Sequence, residues 1–425
     1  MKIKYSLIFV LSFALLMGCK KSNEPTTTGI VSGTIKDAST STVIQNARVL
    51  IFDANTNAPA ANSIFTGSNG SYSFDIAPGS YFIKLSKLGY ENLPPVNIIA
   101  VPFTVVLQQT VTMDFQMNPL TTTGLGTISG QVTKSSNPAA GVLVVASGTL
   151  AGYSSITDKD GNFWIYNVPA GTYTVHAWES GYNSSFVNIN LASSGNSQNN
   201  ILALTSGASG SVTGSITFLA TTNIEVDVSL VNPQTKETVP GLTTITSGGN
   251  YTISNVPTGT YIARASYAND GKVVDPDWIL KNGEPTVTVS TSAVTMNFSV
   301  TGAVTLSSPT NAAASTLPYA INTTTPIFSW SAYSSADDYV IEVSDVNGNV
   351  IWGGFSSNGT VRNFLIPKTT TTITYNSNGT ATQALQNGHI YRWRIFASKD
   401  DSTDPRGWKI ISVSEEQEGL IKVVQ

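Results

Sequence analysis

Two histidines are all the imidazole this chain carries, and one of them, His176, stands three residues before Glu179. A His-x-x-Glu string with a second His elsewhere, here His389, is a ligand set for hydrolytic zinc, because two nitrogens and a carboxylate leave one position open for water. Such a site needs both side chains of the string on one side of the chain. His176 instead follows Tyr173-Thr174-Val175, an alternation that predicts a strand, and residues three apart on a strand point to opposite faces. The string is expected to hold no metal. Asp158-Lys159-Asp160-Gly161 opens like a calcium loop but lacks the later oxygen ligands and the closing Glu, and a hairpin turn accounts for it. Asp337-Asp338 and Asp400-Asp401 are neighbours in sequence, so neither pair forms a glycosidase dyad by itself. No nucleophile elbow, phosphate loop or dinucleotide fingerprint stands in a strand-to-helix setting. The sequence thus predicts no catalytic residue, no metal site and no cofactor. The remaining candidates are two large rings. Trp178 shares the outward face with His176, and Trp164 lies in the Phe163-Trp164-Ile165-Tyr166 run. Each could stack on a sugar ring or pack on a neighbouring module.

Composition narrows the class. Charged residues are 11% of the 425, against about 25% in an ordinary soluble domain. With 22 Lys and Arg and a net charge of −4, no basic face for nucleic acid is expected. A hydrophobic content of 41% argues against disorder. The single Cys excludes an internal disulfide and a thiolate zinc cluster.

That Cys has a telling position. Lys2 and Lys4 precede an apolar run from Leu7 to Met17, which leads into Gly18-Cys19. The run is too short to span a bilayer but fits a secretory signal with a small residue before the cut. The segment resembles a bacterial lipoprotein signal, which implies that residues 1–18 are removed, that Cys19 is the lipid-attachment residue, and that the membrane is a partner through this anchor. Met17 departs from the usual small or β-branched residue. Residues 19–28, polar with Pro25 and a Thr run, read as a flexible tether.

The elements that position everything else come in repeats. Thr66 to Tyr90, Thr157 to Tyr182 and Thr246 to Gly271 align: a turn Gly (Gly70, Gly161, Gly249) precedes a Pro (Pro78, Pro169, Pro257) by eight residues, and a Gly-Ser/Thr-Tyr follows. Upstream, each copy opens on a Gly-x-Val/Ile start at Gly33, Gly130 and Gly214. Tyr72, Phe74 and Ile76, then Tyr81, Ile83 and Leu85, alternate with other residues as in half-buried strands, and the Pro-x-Gly segment turns the chain between them. Lys84, His176 and Arg264 occupy one equivalent position and are expected on a solvated sheet face. The pattern predicts antiparallel sandwiches and no helical periodicity. The unit resembles the carboxypeptidase regulatory-like domain, a transthyretin-like β-sandwich. The likeness rests on the Gly-x-Val/Ile opening, the apolar strand at Ala47 to Ile51 or Gly141 to Val145, the turn Gly, the Pro-x-Gly-x-Tyr segment and a later Gly-Tyr (Gly89-Tyr90, Gly181-Tyr182). The third copy lacks the final Gly-Tyr. The resemblance implies a non-catalytic module used as a spacer or adhesive unit.

Residues 303–425 differ. Pro326 to Trp330, Ala336 to Val343 and Ile390-Tyr391-Arg392-Trp393-Arg394-Ile395 are strand patterns, with Trp330 and Trp393 as core residues. An early core Trp and a late Tyr-x-Trp-x-Ile-x-Ala resemble a fibronectin type III-like sandwich. The expected order is therefore signal 1–18, tether 19–28, regulatory-like sandwiches at 29–120, 127–205 and 206–302, the last divergent, and a fibronectin type III-like sandwich at 303–425: an all-β chain. Regulatory-like repeats behind such a signal resemble envelope lipoproteins of the Bacteroidota, on the outer membrane. The leading functional reading is a non-catalytic spacer, adhesion or binding component with a glycan or envelope-protein partner. The alternatives are a glycan-binding lipoprotein of a polysaccharide uptake system and an enzyme with an unrecognised site.

Overall fold

The computed structural model describes residues 27–424 apart from 95–99, 101, 150, 220–224, 248, 266–270, 312–317 and 346–347. Cys19, the signal and most of the tether lie outside the described residues.

The chain is nearly all β, as the alternation predicts. Each of the first three repeats builds two sheets on a shared layout, with extra strands joining the first sheet in the second and third repeats. The opening strands, Gly29–Asp37, Gly126–Lys134 and Ser209–Phe218, pair antiparallel with Ser71–Ile76, Asn162–Val168 and Asn250–Pro257. On their other edge they pair in parallel with the end of the repeat, Ile30 opposite Thr110, Thr127 opposite Asn196 and Ser211 opposite Ala293. Alternation reports which face is buried and not strand direction, so this parallel seam was not legible. The second sheet runs Ile64–Phe65, Arg48–Asp53, Gly79–Ser86, Phe103–Val105 in the first repeat. Its counterparts are Gly152–Ile156, Leu143–Ser147, Gly171–Trp178, Phe186–Leu191, and Thr238–Thr246, Val226–Val231, Gly259–Ala265, Thr286–Val289. The divergent third repeat keeps the layout.

The repeated residues have physical causes. At Gly33, Gly130 and Gly214 a Cβ would overlap the backbone carbonyl of Met113, Asn200 or Met296, so the opening strand can approach its parallel partner only without a side chain. The Tyr after each Pro-x-Gly segment folds back on it: the hydroxyls of Tyr81, Tyr173 and Tyr261 donate to the carbonyls of Ala77 (2.9 Å), Pro169 (3.0 Å) and Pro257 (2.9 Å). Its ring fills the core while its buried oxygen keeps a partner.

In the last region a small sheet of Leu306–Ser308, Ile327–Trp330 and Thr372–Thr374 accompanies a larger one ordered Tyr319–Ile321, Leu420–Val423, Ile390–Asp400, Asp338–Asp345, Val350–Gly353. One apolar core joins them. Trp330 and Trp393 are both in it, and so is Trp352, whose indole N–H donates to Asn378 at 2.8 Å. A helix the sequence did not announce, Pro276–Asn282, is capped by Asp275, which accepts the N–H groups of Asp277 and Trp278. Seven residues are too few to show a helical period.

Candidate functional site

The central strand of each second sheet shows what its outward face meets. In Arg48–Asp53 the core takes Val49 and Ile51, so Arg48, Leu50 and Phe52 point outward. All three are buried. In Leu143–Ser147 the core of the second sandwich takes Val144 and Ala146, while Leu143 and Val145, wholly buried, join the core of the third with Val228, Val239 and Leu242. Strands that are apolar on both faces are covered on both faces, and here the cover is the next repeat.

The joints recur. Gly89, Gly181 and Gly271 each adopt positive φ (83°, 78°, 77°) and turn an N–H toward the following sandwich. Gly89 donates to the Asn167 side-chain oxygen at 2.7 Å, Gly181 to the Asn255 carbonyl at 2.6 Å, and Gly271 to the Glu415 carboxylate. The Asn167 amide closes the first joint by donating to the Tyr90 carbonyl at 2.7 Å. The late Gly-Tyr of the repeat therefore includes its docking point.

Both candidate tryptophans lie at these joints. The Trp178 ring meets Tyr261 of the third sandwich edge to face, with centroids 5.6 Å apart. Trp164 sits between Phe65 (5.2 Å) and the Arg48 guanidinium (5.0 Å) of the first. Arg48 donates to Ser155 Oγ (2.9 Å) and the Ile156 carbonyl (3.0 Å) of the second sandwich. Burial pushes its pKa down to about 10, against the pull of Asp158 and Tyr166, so it stays charged at neutral pH.

Where the first three sandwiches meet lies a cavity of about 540 Å³, lined by the stacked Phe52 and Phe82 rings, Lys84, Trp164, Ile156 and Glu237. Lys84 reaches Glu237 of the third sandwich at 3.8 Å and stands over Phe52. Arg264, at the equivalent position, donates through Nε to Glu284 at 2.9 Å. The solvated face expected at this position is thus found only in part, because two of its three residues are paired with acids. His176 keeps an outward, half-buried place beside the exposed Phe186 ring, 5.6 Å away, and burial lowers its pKa. Glu179 turns to Lys134 at 2.9 Å.

The acids singled out by the sequence are engaged as well. Asp158 accepts the N–H groups of Asp160 and Asn162 within its turn and that of Ser63 from the first sandwich, and Asp160 accepts the Asn62 amide. Asp338 is bound through both oxygens by Arg362, at 2.7 and 2.8 Å. Asp337 accepts the Asp400 N–H, and Asp401 is held by Thr403 and Lys409. Among the described residues no three His, Cys, Asp or Glu side chains gather where they could hold a metal ion. Sequence reasoning missed the charged joint between the third and fourth sandwiches. There Asp277 accepts from Arg406 Nη2 (2.6 Å) and the Ile410 N–H (2.9 Å), and Asp404 binds Arg406 and Lys281. Its partners are more than a hundred residues apart, and spacing carries no signal of that.

Residues 30–118 and 127–205 match the family model of the carboxypeptidase regulatory-like domain. The chain therefore carries two such domains in tandem. No curated protein matches the chain. Solved structures it is similar to include the Bacillus anthracis TIE protein, at 14% identity and a TM-score of 0.18, covering 65% of this chain and 51% of that one. The chain thus spans about half the length of that protein. BcpA, the major pilin subunit of Bacillus cereus, aligns at 12% identity and a TM-score of 0.20, over 64% of this chain and 99% of that one. The shaft pilin SpaA from Lactobacillus rhamnosus GG aligns at 12% identity and a TM-score of 0.19, over 42% and 98%. Among the described residues no helix is long and apolar enough to cross a membrane.

Proposed function

We propose that the chain is a non-catalytic envelope protein, tethered to the outer membrane by lipid on Cys19, that serves as a modular spacer, adhesion or binding component. Its sandwiches are taken as 29–120, 127–205 and 206–302, the third a divergent regulatory-like copy, and 303–425, fibronectin type III-like. The observation that carries the reading is how the chemistry-bearing side chains are used. Trp164, Trp178, Arg48 and Asp158 join one sandwich to the next, Lys84 reaches from the first to the third, and the paired acids are held by cations or backbone N–H groups. A chain whose polar groups serve its joints is suited to holding a shape away from a membrane. The strand order and the Tyr261 bond support the third sandwich as a copy of the first two. Replacing Cys19 by Ser is expected to release the protein from the membrane fraction and abolish fatty-acid labelling. A variant that still sediments with membranes and still labels would overturn the anchor.

A further inference from the structure

One sheet face in the second sandwich is built unlike its two counterparts. Gly171–Trp178 pairs with the edge strand Phe186–Leu191 so that Thr172 lies opposite Asn190, Thr174 opposite Asn188 and His176 opposite Phe186. The residues between them, Tyr173, Val175 and Ile189, enter the core, so the three cross-strand pairs share the outward face. Phe186 is 59% exposed, and Thr172, Asn188 and Asn190 are exposed too. The result is a ladder about 14 Å long, two same-face steps of roughly 7 Å. A tilted His–Phe ring pair stands at one end, and two Thr–Asn pairs follow.

At the two rungs nearest Phe186 the other repeats differ, while the Thr172–Asn190 rung has polar counterparts in Ser80–Thr104 and Thr260–Thr288. Where the second sandwich has Thr174, the first has Phe82 and the third Ile262, both buried. Where it has His176, they have Lys84 and Arg264, each drawn to a carboxylate. Only the second repeat has a hydroxyl–amide pair and an imidazole at these two rungs, and it sets an exposed Phe beside them.

We propose that this ladder is a binding face for a neutral oligosaccharide. A pyranose offers an apolar face of C–H groups and a rim of hydroxyls. The Phe186 ring supplies an apolar platform for the former, steadied by His176 behind it. The Thr and Asn groups donate and accept for the latter, and Thr174 already donates to Asn188 at 3.0 Å, which leaves the Asn188 amide N–H group to turn outward. Thr, Asn and Phe carry no charge, and burial keeps the imidazole neutral at pH 7, so nothing here selects an ionic ligand. The inference rests on the reading of the chain as a binding component and names its ligand class. The test leaves the membrane anchor untouched, so the two fail separately.

The test is titration calorimetry of the full chain with four neutral hexaoses: β-1,4-linked glucose, mannose and xylose, and α-1,4-linked glucose. At least one is expected to bind. Phe186→Ala should weaken it about tenfold or more, as loss of a stacking ring does, and Asn188→Ala by less. Trp278→Ala, an exposed ring on the helix at the far joint, should leave it unchanged. These are surface sites, and unaltered melting of each variant would show that the fold is intact. Failure of all four sugars to bind, or binding that Phe186→Ala does not weaken, would overturn the proposal. So would binding of an extended peptide along the Phe186–Leu191 edge with no sugar bound.

Discussion

The joint between the second and third sandwiches and the joint between the third and fourth do one job with opposite materials. The former is apolar: Leu143, Val145 and Trp178 enter the core built on Val228, Leu242 and Tyr261. The latter adds a net of charges, Arg406 with Asp277 and Asp404, Lys281 with Asp404, and Glu415 on the Gly271 N–H. Apolar burial involves no titrating group, while a charge net weakens when its carboxylates are protonated. The chain should accordingly loosen first at its third–fourth joint in acid and hold its second–third joint.

The apolar joint breaks most directly at Leu143. Leu143→Ala should cost about 3 kcal/mol, the usual range for a buried Leu, and should lower the unfolding midpoint of the second and third sandwiches together. Guanidinium titration read from probes in each would show it; loss confined to one would mean that the cores are separate. At the first–second joint Arg48→Met removes charged hydrogen bonds to Ser155 and Ile156 and should cost about 2 kcal/mol by the same titration.

Acid sharpens the contrast. The Arg406 and Lys281 partners hold the Asp404 carboxyl well below its ordinary 3.8. Its folded-state value is depressed, so its stabilisation is complete above about pH 4 and is lost as the pH falls through the lower folded value. Melting followed at pH 7 and at pH 2.5 or so should show the fourth sandwich separating early at the lower pH, and Asp404→Asn should remove part of that dependence. The smallest effect belongs to His176. His176→Ala should leave the melting temperature nearly unchanged, within roughly 0.5 kcal/mol of stability, and chelator should not alter it. A chelator-sensitive melt lost on this substitution would reinstate the His-x-x-Glu reading.

What was legible in the sequence follows from what leaves a periodic trace. Tyr72-x-Phe74-x-Ile76 and the Pro-x-Gly-x-Tyr turn announce strands and their order, and Trp330 and Trp393 announce a core, because burial on a strand recurs every second residue. Cover on the second face was written there too: Val49 to Phe52 and Val142 to Ala146 are unbroken apolar runs, where a sheet with one wet side would alternate. The outward place of His176 beside Trp178 came from the same rule. The partners of those outward residues did not, since Trp178 to Tyr261 or Asp277 to Arg406 depends on how whole sheets stack. The exposure of Phe186 was hidden for the same reason, since alternation places the ring on the outward face without saying whether another sheet covers it.

The repeats are joined through their outward faces rather than strung as independent beads. Native-state hydrogen exchange on the intact chain tests this most directly. The amides of Leu143–Ser147 and Val226–Val231, on opposite sides of the second–third joint, should exchange through one shared opening with the same free energy, and Leu143→Ala should lower both equally. Two distinct opening energies, with only the Leu143–Ser147 amides responding to that substitution, would contradict it.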